Sequence, residues 1–358
     1  MNETHESPAP RVRFIGLPID TKQENLVQTR LGETILEEQA RLREKEVKTY
    51  HPAYLTPEEL DILRQAEQHI HTSLAHKMER LGVSPHSRTR VPDASYVRSP
   101  IKKKGKPDAA GGAYTAFGFP LVVIDNAKDL LKASITAAHE LSHLATQREI
   151  WTYWEEQGDK PHITAAVAKL GAETVANRER LGEGIENGLA ILDSVDIYNT
   201  TLRSLFPKEA QRRKEALASK EIQRQIQQLD RSVFGPVNRS RIEPFLEFYA
   251  MPLSGTRAII HEKLWHNARL VEELCRTIAF STLQPSSVPS IPPQQRIDLG
   301  RALLDKDRFT GHHDGLREIV RIFGPKDALS ILRLKDDGKN LDRAMKLIRA
   351  KQRELGMQ

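Results

Sequence analysis

Two histidines and one glutamate have the spacing of a metal site in the segment His139-Glu140-Leu141-Ser142-His143, an H-E-x-x-H motif. Residues four apart on a helix differ by about 40° in direction and about 6 Å along the axis, so both imidazoles can face one ion. Glu140 points about 100° away from His139, which places its carboxylate beside that ion. Zinc lowers the pKa of a bound water to about 7, and a neighbouring carboxylate can then remove the proton. The motif therefore predicts Zn²⁺ at His139 and His143, with Glu140 as the catalytic general base.

The residues around the motif indicate that it lies on a buried helix. Apolar residues dominate the segment from Ala133 to Ala145, and the helix is expected near 127–149 with Asp125 or Asn126 as its N-cap. A buried glutamate costs free energy unless it is partnered or linked to a metal. The alternative interpretation is a helix with two hydrogen-bonded core histidines and no metal.

A catalytic zinc site needs a third protein ligand and one open position. The main candidate is Glu183, which lies one turn before an apolar helical face and precedes Gly184, whose small size permits a close approach. Glu186 is the alternative third ligand. Asn187, four residues after Glu183, is placed to hydrogen-bond a ligand histidine. Without a metal, Glu183 would be an acidic residue in the first turn of a helix, where the helix dipole favours it.

If the zinc-bound water attacks a carbonyl group, the site also needs a group that stabilises the oxyanion of the tetrahedral intermediate. Tyr249, His261 and His266 are candidates by residue type, although a structural or supporting role is the more common one for each. Glu247 is far from the motif along the chain. It is interpreted as part of an aromatic helix end that packs in the core.

The hydrophobic pattern predicts an α+β fold that is predominantly α-helical. Strand signals occur at 94–97 and from Ala113 to Asp125, so a small β-sheet is expected before the motif helix. The later segments have helical patterns, among them 163–178 and 241–250. The sequence therefore predicts a small sheet, the motif helix and additional helices after it.

Composition and helix signals divide the chain into five segments. They are a tail over 1–20, N-terminal helices over 21–84, a catalytic core over 85–283, a Pro/Ser-rich linker over 284–295 and C-terminal helices over 296–358. The clearest helix start is Thr56-Pro57-Glu58-Glu59, which combines a capping box with Pro at the first helical position.

Charge and cysteine content exclude several classes of protein. The chain has 358 residues, a net charge of +6 and a single cysteine, Cys275, which excludes an internal disulfide and a cysteine-based zinc finger. No apolar run has the length of a membrane span, and the first ten residues lack the apolar core of a secretory signal. A cytoplasmic location is therefore expected. The basic run Lys102–Lys104 has no nucleic-acid motif beside it and is interpreted as a solvated loop.

The segment from about 85 to 205 resembles the gluzincin branch of the zincin metallopeptidases. Its H-E-x-x-H motif matches the first motif of these proteins, and Glu183-Gly184 resembles the Glu-Gly step in their second helix. The stretch Gly112–Ile124 resembles the strand that precedes their motif helix and pairs with an extended substrate. The chain departs from the shortest members in the longer segment between His143 and Glu183.

The resemblance implies a zincin-like core and a zinc-dependent metallopeptidase. Such an enzyme hydrolyses peptide bonds with a zinc-bound water that Glu140 activates. The expected partner is a peptide or protein substrate, with no nucleic acid and no membrane. The alternative is a zincin-like regulatory or binding protein with little or no turnover.

Overall fold

The computed structural model describes most of the chain from Leu55 onward and short pieces before it. The described residues are 11–14, 25, 29, 51–52, 55–83, 94–98, 112–113, 121–123, 129–146, 148–157, 160–176, 179–235, 237–238, 241–251, 255–282, 291–334 and 338–357. Helices dominate these parts, which confirms the prediction of a predominantly α-helical protein. Most of the first 50 residues, with most of the predicted tail, lie outside the described residues.

The helices are α1 Pro57–Arg80, α2 Leu130–Leu144, α3 Glu183–Ile197, α4 Pro207–Leu217, α5 Lys220–Asp230, α6 Glu262–Thr282, α7 Pro293–Thr310, α8 Asp314–Leu332 and α9 Gly338–Glu354. A π-helical turn, Tyr198–Leu202, and a short helix, Arg203–Leu205, continue α3. The strands are β1 Arg11–Phe14, β2 His51–Pro52, β3 Ser95–Arg98, β4 Gly112–Ala113, β5 Leu121–Val123, β6 Arg148–Gln157, β7 Lys160–Leu170, β8 Glu173–Ala176, β9 Glu179–Leu181, β10 Leu246–Met251 and β11 Gly255–Ile260.

A small sheet precedes the motif helix, in agreement with the strand signals of the sequence. Its order is β2-β3-β5-β4, with β3 parallel to β5 and β4 antiparallel to β5. The strand expected at 94–97 corresponds to β3. The strand expected from Ala113 to Asp125 is represented by β4 and β5, and its other positions lie outside the described residues.

The motif helix α2 lies inside the protein, as its apolar sequence predicts. Its N-cap is Asp129, whose carboxylate accepts a hydrogen bond of 2.9 Å from the backbone of Lys132. The N-cap is thus neither Asp125 nor Asn126, both of which lie outside the described residues. Asp129 also pairs with the fully buried guanidinium of Arg213 at 2.6 Å. This ion pair joins the start of α2 to α4.

Helices α1 and α3 pack against α2 and fix its orientation. The predicted start of α1 is confirmed, because Thr56 and Glu59 form both hydrogen bonds of a capping box. Gly182 sets the start of α3 with a left-handed φ of 83°. A Cβ at that position would meet the carbonyl oxygen of Ala172, so a glycine is required for both reasons.

Two segments with helical patterns form strands instead. The segment 163–178 contributes to β7 and β8, because β7 pairs antiparallel with β6 on one side and with β8 on the other. The segment 241–250 contains only the 3₁₀ turn Glu243–Phe245 before β10, which pairs with β11. In both cases a neighbouring strand supplies the backbone partners, and tertiary pairing outweighs local helix propensity.

The C-terminal helices share a core with the middle of the chain. One cluster of buried apolar side chains joins α3 and α6 to α7, α8 and α9; its members include Ile185, Leu189, Leu274, Leu304, Ile319 and Met345. Helix α7 begins at Pro293, inside the predicted linker, and 283–290 lie outside the described residues. The helices over 296–358 therefore pack as part of the body. Within the part of the chain that the structure describes, no helix has the length and apolarity needed to cross a membrane.

Candidate active site

The two motif histidines present the same ring nitrogen to each other. Nε2 of His139 lies 3.2 Å from Nε2 of His143, and the two ring planes are nearly perpendicular at 88°. Two nitrogens in a tetrahedral zinc shell, with Zn–N distances of about 2.0–2.1 Å, lie about 3.3–3.4 Å apart. The separation of the two Nε2 atoms therefore fits two ligands of one tetrahedral ion.

A buried carboxylate on α3 orients the second of these rings. Nδ1 of His143 lies 3.1 Å from Oε1 of Glu186. Because a carboxylate accepts hydrogen bonds, this contact assigns the proton to Nδ1 and the lone pair to Nε2. The ring of His143 is thus held in the tautomer that a metal ligand requires.

The surroundings also set the charge states of these groups. Burial, reinforced by the nearby His143 and Arg308, holds the pKa of His139 well below its usual value. The neutral imidazole that results is the form that binds metals. Burial alone would raise the pKa of Glu186, but Arg308 and the contact with His143 outweigh it and lower the pKa to about 2. Glu186 is therefore a carboxylate at neutral pH.

Glu140 has the properties expected of a general base. The residue is buried, with a relative exposure of 5%. Among the described residues, its carboxylate has no hydrogen-bond or ion-pair partner. Burial raises its pKa to about 7, against a smaller opposing effect of His143. A carboxyl group with a pKa near neutrality can both accept and return a proton.

A cavity of about 240 Å³ opens onto His139 and Glu140. Its walls come from α2, α3, the 3₁₀ turn before β10, the strand β10 and the start of α6. The lining residues are Lys132, Ile135, Thr136, His139, Glu140, Asn187, Ile191, Ser194, Val195, Pro244, Phe245, Glu247, His261 and Leu264. Eight of these fourteen residues are polar or charged and six are apolar, so polar groups converge on a partly apolar cavity, as in many binding sites.

A polar group on β10 faces the motif across this cavity. Oε1 of Glu247 pairs with Nζ of Lys132 at 2.9 Å, and the hydroxyl of Tyr249 donates to Oε2 at 2.5 Å. Glu247 is therefore part of a strand and of the cavity wall, and not of a helix end. His261 also lines the cavity, and the backbone N–H of Leu264 donates to its Nδ1 at 3.3 Å. That contact assigns the ring proton of His261 to Nε2.

A network of buried ion pairs lies behind the motif helix. The guanidinium of Arg308, which is fully buried, contacts Glu186 at 2.8 Å, Asp193 at 2.9 Å and Asp305 at 3.3 Å. It also donates to the hydroxyl of Ser142 at 3.1 Å. Lys77 and Arg301 extend the network by pairing with Asp193 and Asp305. The position of Glu186, and through it of His143, thus depends on residues of α7.

The two candidate third ligands contact groups other than the two Nε2 atoms. Oε1 of Glu183 accepts a hydrogen bond of 2.9 Å from Arg180, and the Glu183 side chain is 29% exposed outside the cavity. Glu186 contacts Nδ1 of His143, on the opposite side of the ring from Nε2, so this geometry supports an orienting role and not a ligand role. Among the described residues, no three histidine, cysteine or acidic side chains form a ready-made metal group. Glu183 as a ligand stays a prediction.

The remaining candidates divide between the cavity and other places. Asn187 and His261 line the cavity, whereas Tyr249 acts on it through Glu247. Within the part of the chain that the structure describes, Asn187 makes no hydrogen bond with either motif histidine. His266 stacks on Phe234 with a centroid separation of 4.2 Å and does not line the cavity.

Two residues of the site are missed by sequence reasoning. Lys132 lies seven positions before His139 and therefore on the same helical face, a spacing that could have identified it as a cavity residue. Arg308 had no such signal, because its partner Glu186 lies 122 positions away along the chain.

Comparisons with known proteins add no relative. No family model, no curated protein and no solved structure matches the chain.

Proposed function

We propose that this chain is a zinc-dependent peptidase. The observation that carries the proposal is the pair of Nε2 atoms of His139 and His143, 3.2 Å apart on the same helix as the buried carboxylate of Glu140. Neutral imidazoles commonly bind Zn²⁺, and Glu183 is the third ligand that we propose for the ion. His139 and His143 would hold the ion, which when bound acidifies a water and polarises a carbonyl oxygen.

Glu140 is the group that moves the proton. Its carboxylate takes one proton from the attacking water and returns it to the amine that leaves when the peptide bond breaks. Without a metal, burial raises the pKa of Glu140 to about 7, and a bound Zn²⁺ would favour the carboxylate form that accepts the proton. Burial in the cavity also keeps bulk water away from the carboxylate.

His261 is the best candidate to stabilise the oxyanion. The contact of Leu264 with Nδ1 leaves the Nε2–H of His261 as a donor in a ring that lines the cavity. Tyr249 is less suited, because its hydroxyl proton is already donated to Glu247. A positioned neutral donor of this kind typically contributes a factor of about 10²–10³ to the rate.

The test is the dependence of peptide cleavage on zinc. Protein loaded with zinc should generate new amino termini in a mixture of unstructured peptides, because a base without the metal lacks an activated water. Removal of zinc with a chelator should abolish cleavage, and adding zinc back should restore it. If the protein binds stoichiometric zinc but cleaves no peptide, the proposal of a peptidase would be contradicted. That result would favour a zincin-like regulatory or binding protein.

A further inference from the structure

A second cavity, of about 420 Å³, adjoins the first and has a different character. Phe245 and Val195 line both cavities, so only these side chains and their neighbours separate them. We call the second cavity the arginine cleft, after the four arginines in its wall: Arg241, Arg269, Arg276 and Arg349.

The arginine cleft has a positive surface over a buried acidic layer. Glu272 and Glu273 are the acidic residues in its wall, and their side chains are only 4% and 0% exposed. The four arginine side chains are 17% to 32% exposed and lie above these carboxylates. Four guanidinium groups against two carboxylates leave a surplus of two positive charges, carried by the groups that face the opening.

The arginines hold more hydrogen-bond donors than the two glutamates can use. Each guanidinium has five N–H donors, and each carboxylate accepts about four hydrogen bonds. Within the described residues, Arg276 makes a single ion pair, of 3.4 Å with Glu273, which uses one terminal nitrogen of a side chain that is 27% exposed. Arg349 lies 3.6 Å from Glu273 and also donates, at 3.4 Å each, to Oε1 of Gln352 and to the carbonyl oxygen of Gly235. Donors therefore remain for a ligand.

The remainder of the wall adds apolar surface and the start of a helix. Leu192, Phe245, Trp265 and Ile297 supply the apolar part of the lining. Helix α7 begins at Pro293 in the same wall, and its N-terminus has no side-chain cap. The partial positive charge of a helix N-terminus reinforces the field of the arginines.

We propose that the arginine cleft binds an organic anion, a molecule with an apolar body and a carboxylate or phosphate head. The guanidinium groups bind the head, for which their planar fork is suited. The apolar body lies against Trp265 and Phe245. Two cations would be enough to pair Glu272 and Glu273. The ion pairs therefore do not explain why four arginines line the cleft.

The test uses calorimetry with three small probes on the full-length protein, with neither zinc nor a peptide present. Phenyl phosphate and benzoate have the two head groups, and benzyl alcohol has the same apolar body without charge. We expect binding of at least one anion and none of benzyl alcohol. Tighter binding of phenyl phosphate assigns a phosphate head, and tighter binding of benzoate assigns a carboxylate head.

A substitution in the cleft locates the binding. In R276Q the anion should bind about tenfold more weakly, the value for loss of one charged hydrogen bond. Glu273 keeps Arg269, Arg349 and Gln352 as partners, so this variant retains its buried pairs. The control R224Q changes an arginine on α5 that is 74% exposed, and its affinity should equal that of the wild type. No anion binding up to about 10 mM, or equal weakening in both variants, would overturn the proposal.

Discussion

Replacement of Arg308 by methionine is expected to lower the free energy of unfolding by about 3–5 kcal/mol. Methionine preserves much of the length of the side chain but removes the charge that neutralises Glu186, Asp193 and Asp305. Lys77 and Arg301 still contact the two aspartates, whereas Glu186 loses its only guanidinium partner among the described residues. An unpaired charge in the interior is costly, because neither water nor a counter-ion replaces the lost partner.

Urea denaturation of R308M and of the wild type measures this effect. The matched control is R317M, which makes the same substitution on α8 at a side chain that is 79% exposed. The control should change the free energy of unfolding by less than about 0.5 kcal/mol. A loss below about 1 kcal/mol in R308M would show that the buried network does not depend on Arg308.

The loss in R308M should also depend on pH. Burial alone would raise the pKa of Asp193, but Lys77, Arg308 and Arg301 hold it well below its usual value. A carboxylate with a lowered pKa adds stability above its unfolded pKa of about 3.9, and this stability is lost as the pH falls through the folded pKa. The difference between wild type and R308M should therefore shrink as the pH is lowered below about 4.

Substitution of Glu140 by glutamine should reduce peptide hydrolysis by a factor of about 10²–10⁴, with zinc content unchanged. Glutamine has nearly the same shape but cannot take a proton from water at neutral pH. Among the residues that the structure describes, Glu140 has no ion-pair or hydrogen-bond partner, so its replacement breaks no buried pair there. The fold and the two imidazoles should therefore remain as they are.

The rate of cleavage and the zinc content of E140Q are measured on the same preparation. The control is E215Q on α4, an exposed glutamate whose change should leave both quantities at wild-type values. Cleavage by E140Q at the wild-type rate would contradict the role of Glu140 as the base. Loss of zinc from E140Q would show that this carboxylate contributes to binding the ion.

Local patterns predicted the parts of the fold that depend on neighbours in sequence. The start of α1 follows from Thr56 and Glu59, three positions apart, and the pairing of His139 with His143 follows from one helical turn. In each case the geometry of a single helix determines which side chains meet. The burial of the motif helix follows from its apolar composition.

Long-range contacts determined what the sequence did not predict. The segments 163–178 and 241–250 contain strands, because β6 and β11 supply their hydrogen-bond partners. Glu247 reaches the cavity only through the β10–β11 hairpin, so its spacing from the motif carries no signal. The pairing of Arg308 with Glu186 likewise requires that α7 pack against α3.

The most direct test of the account is the zinc content of the purified protein by elemental analysis. We compare the wild type with His139→Ala, which removes one of the two imidazoles and leaves the contact between His143 and Glu186 intact. We expect about one zinc per chain in the wild type and a loss of that zinc in the variant. A folded wild-type protein that contains no zinc after zinc is supplied would contradict it.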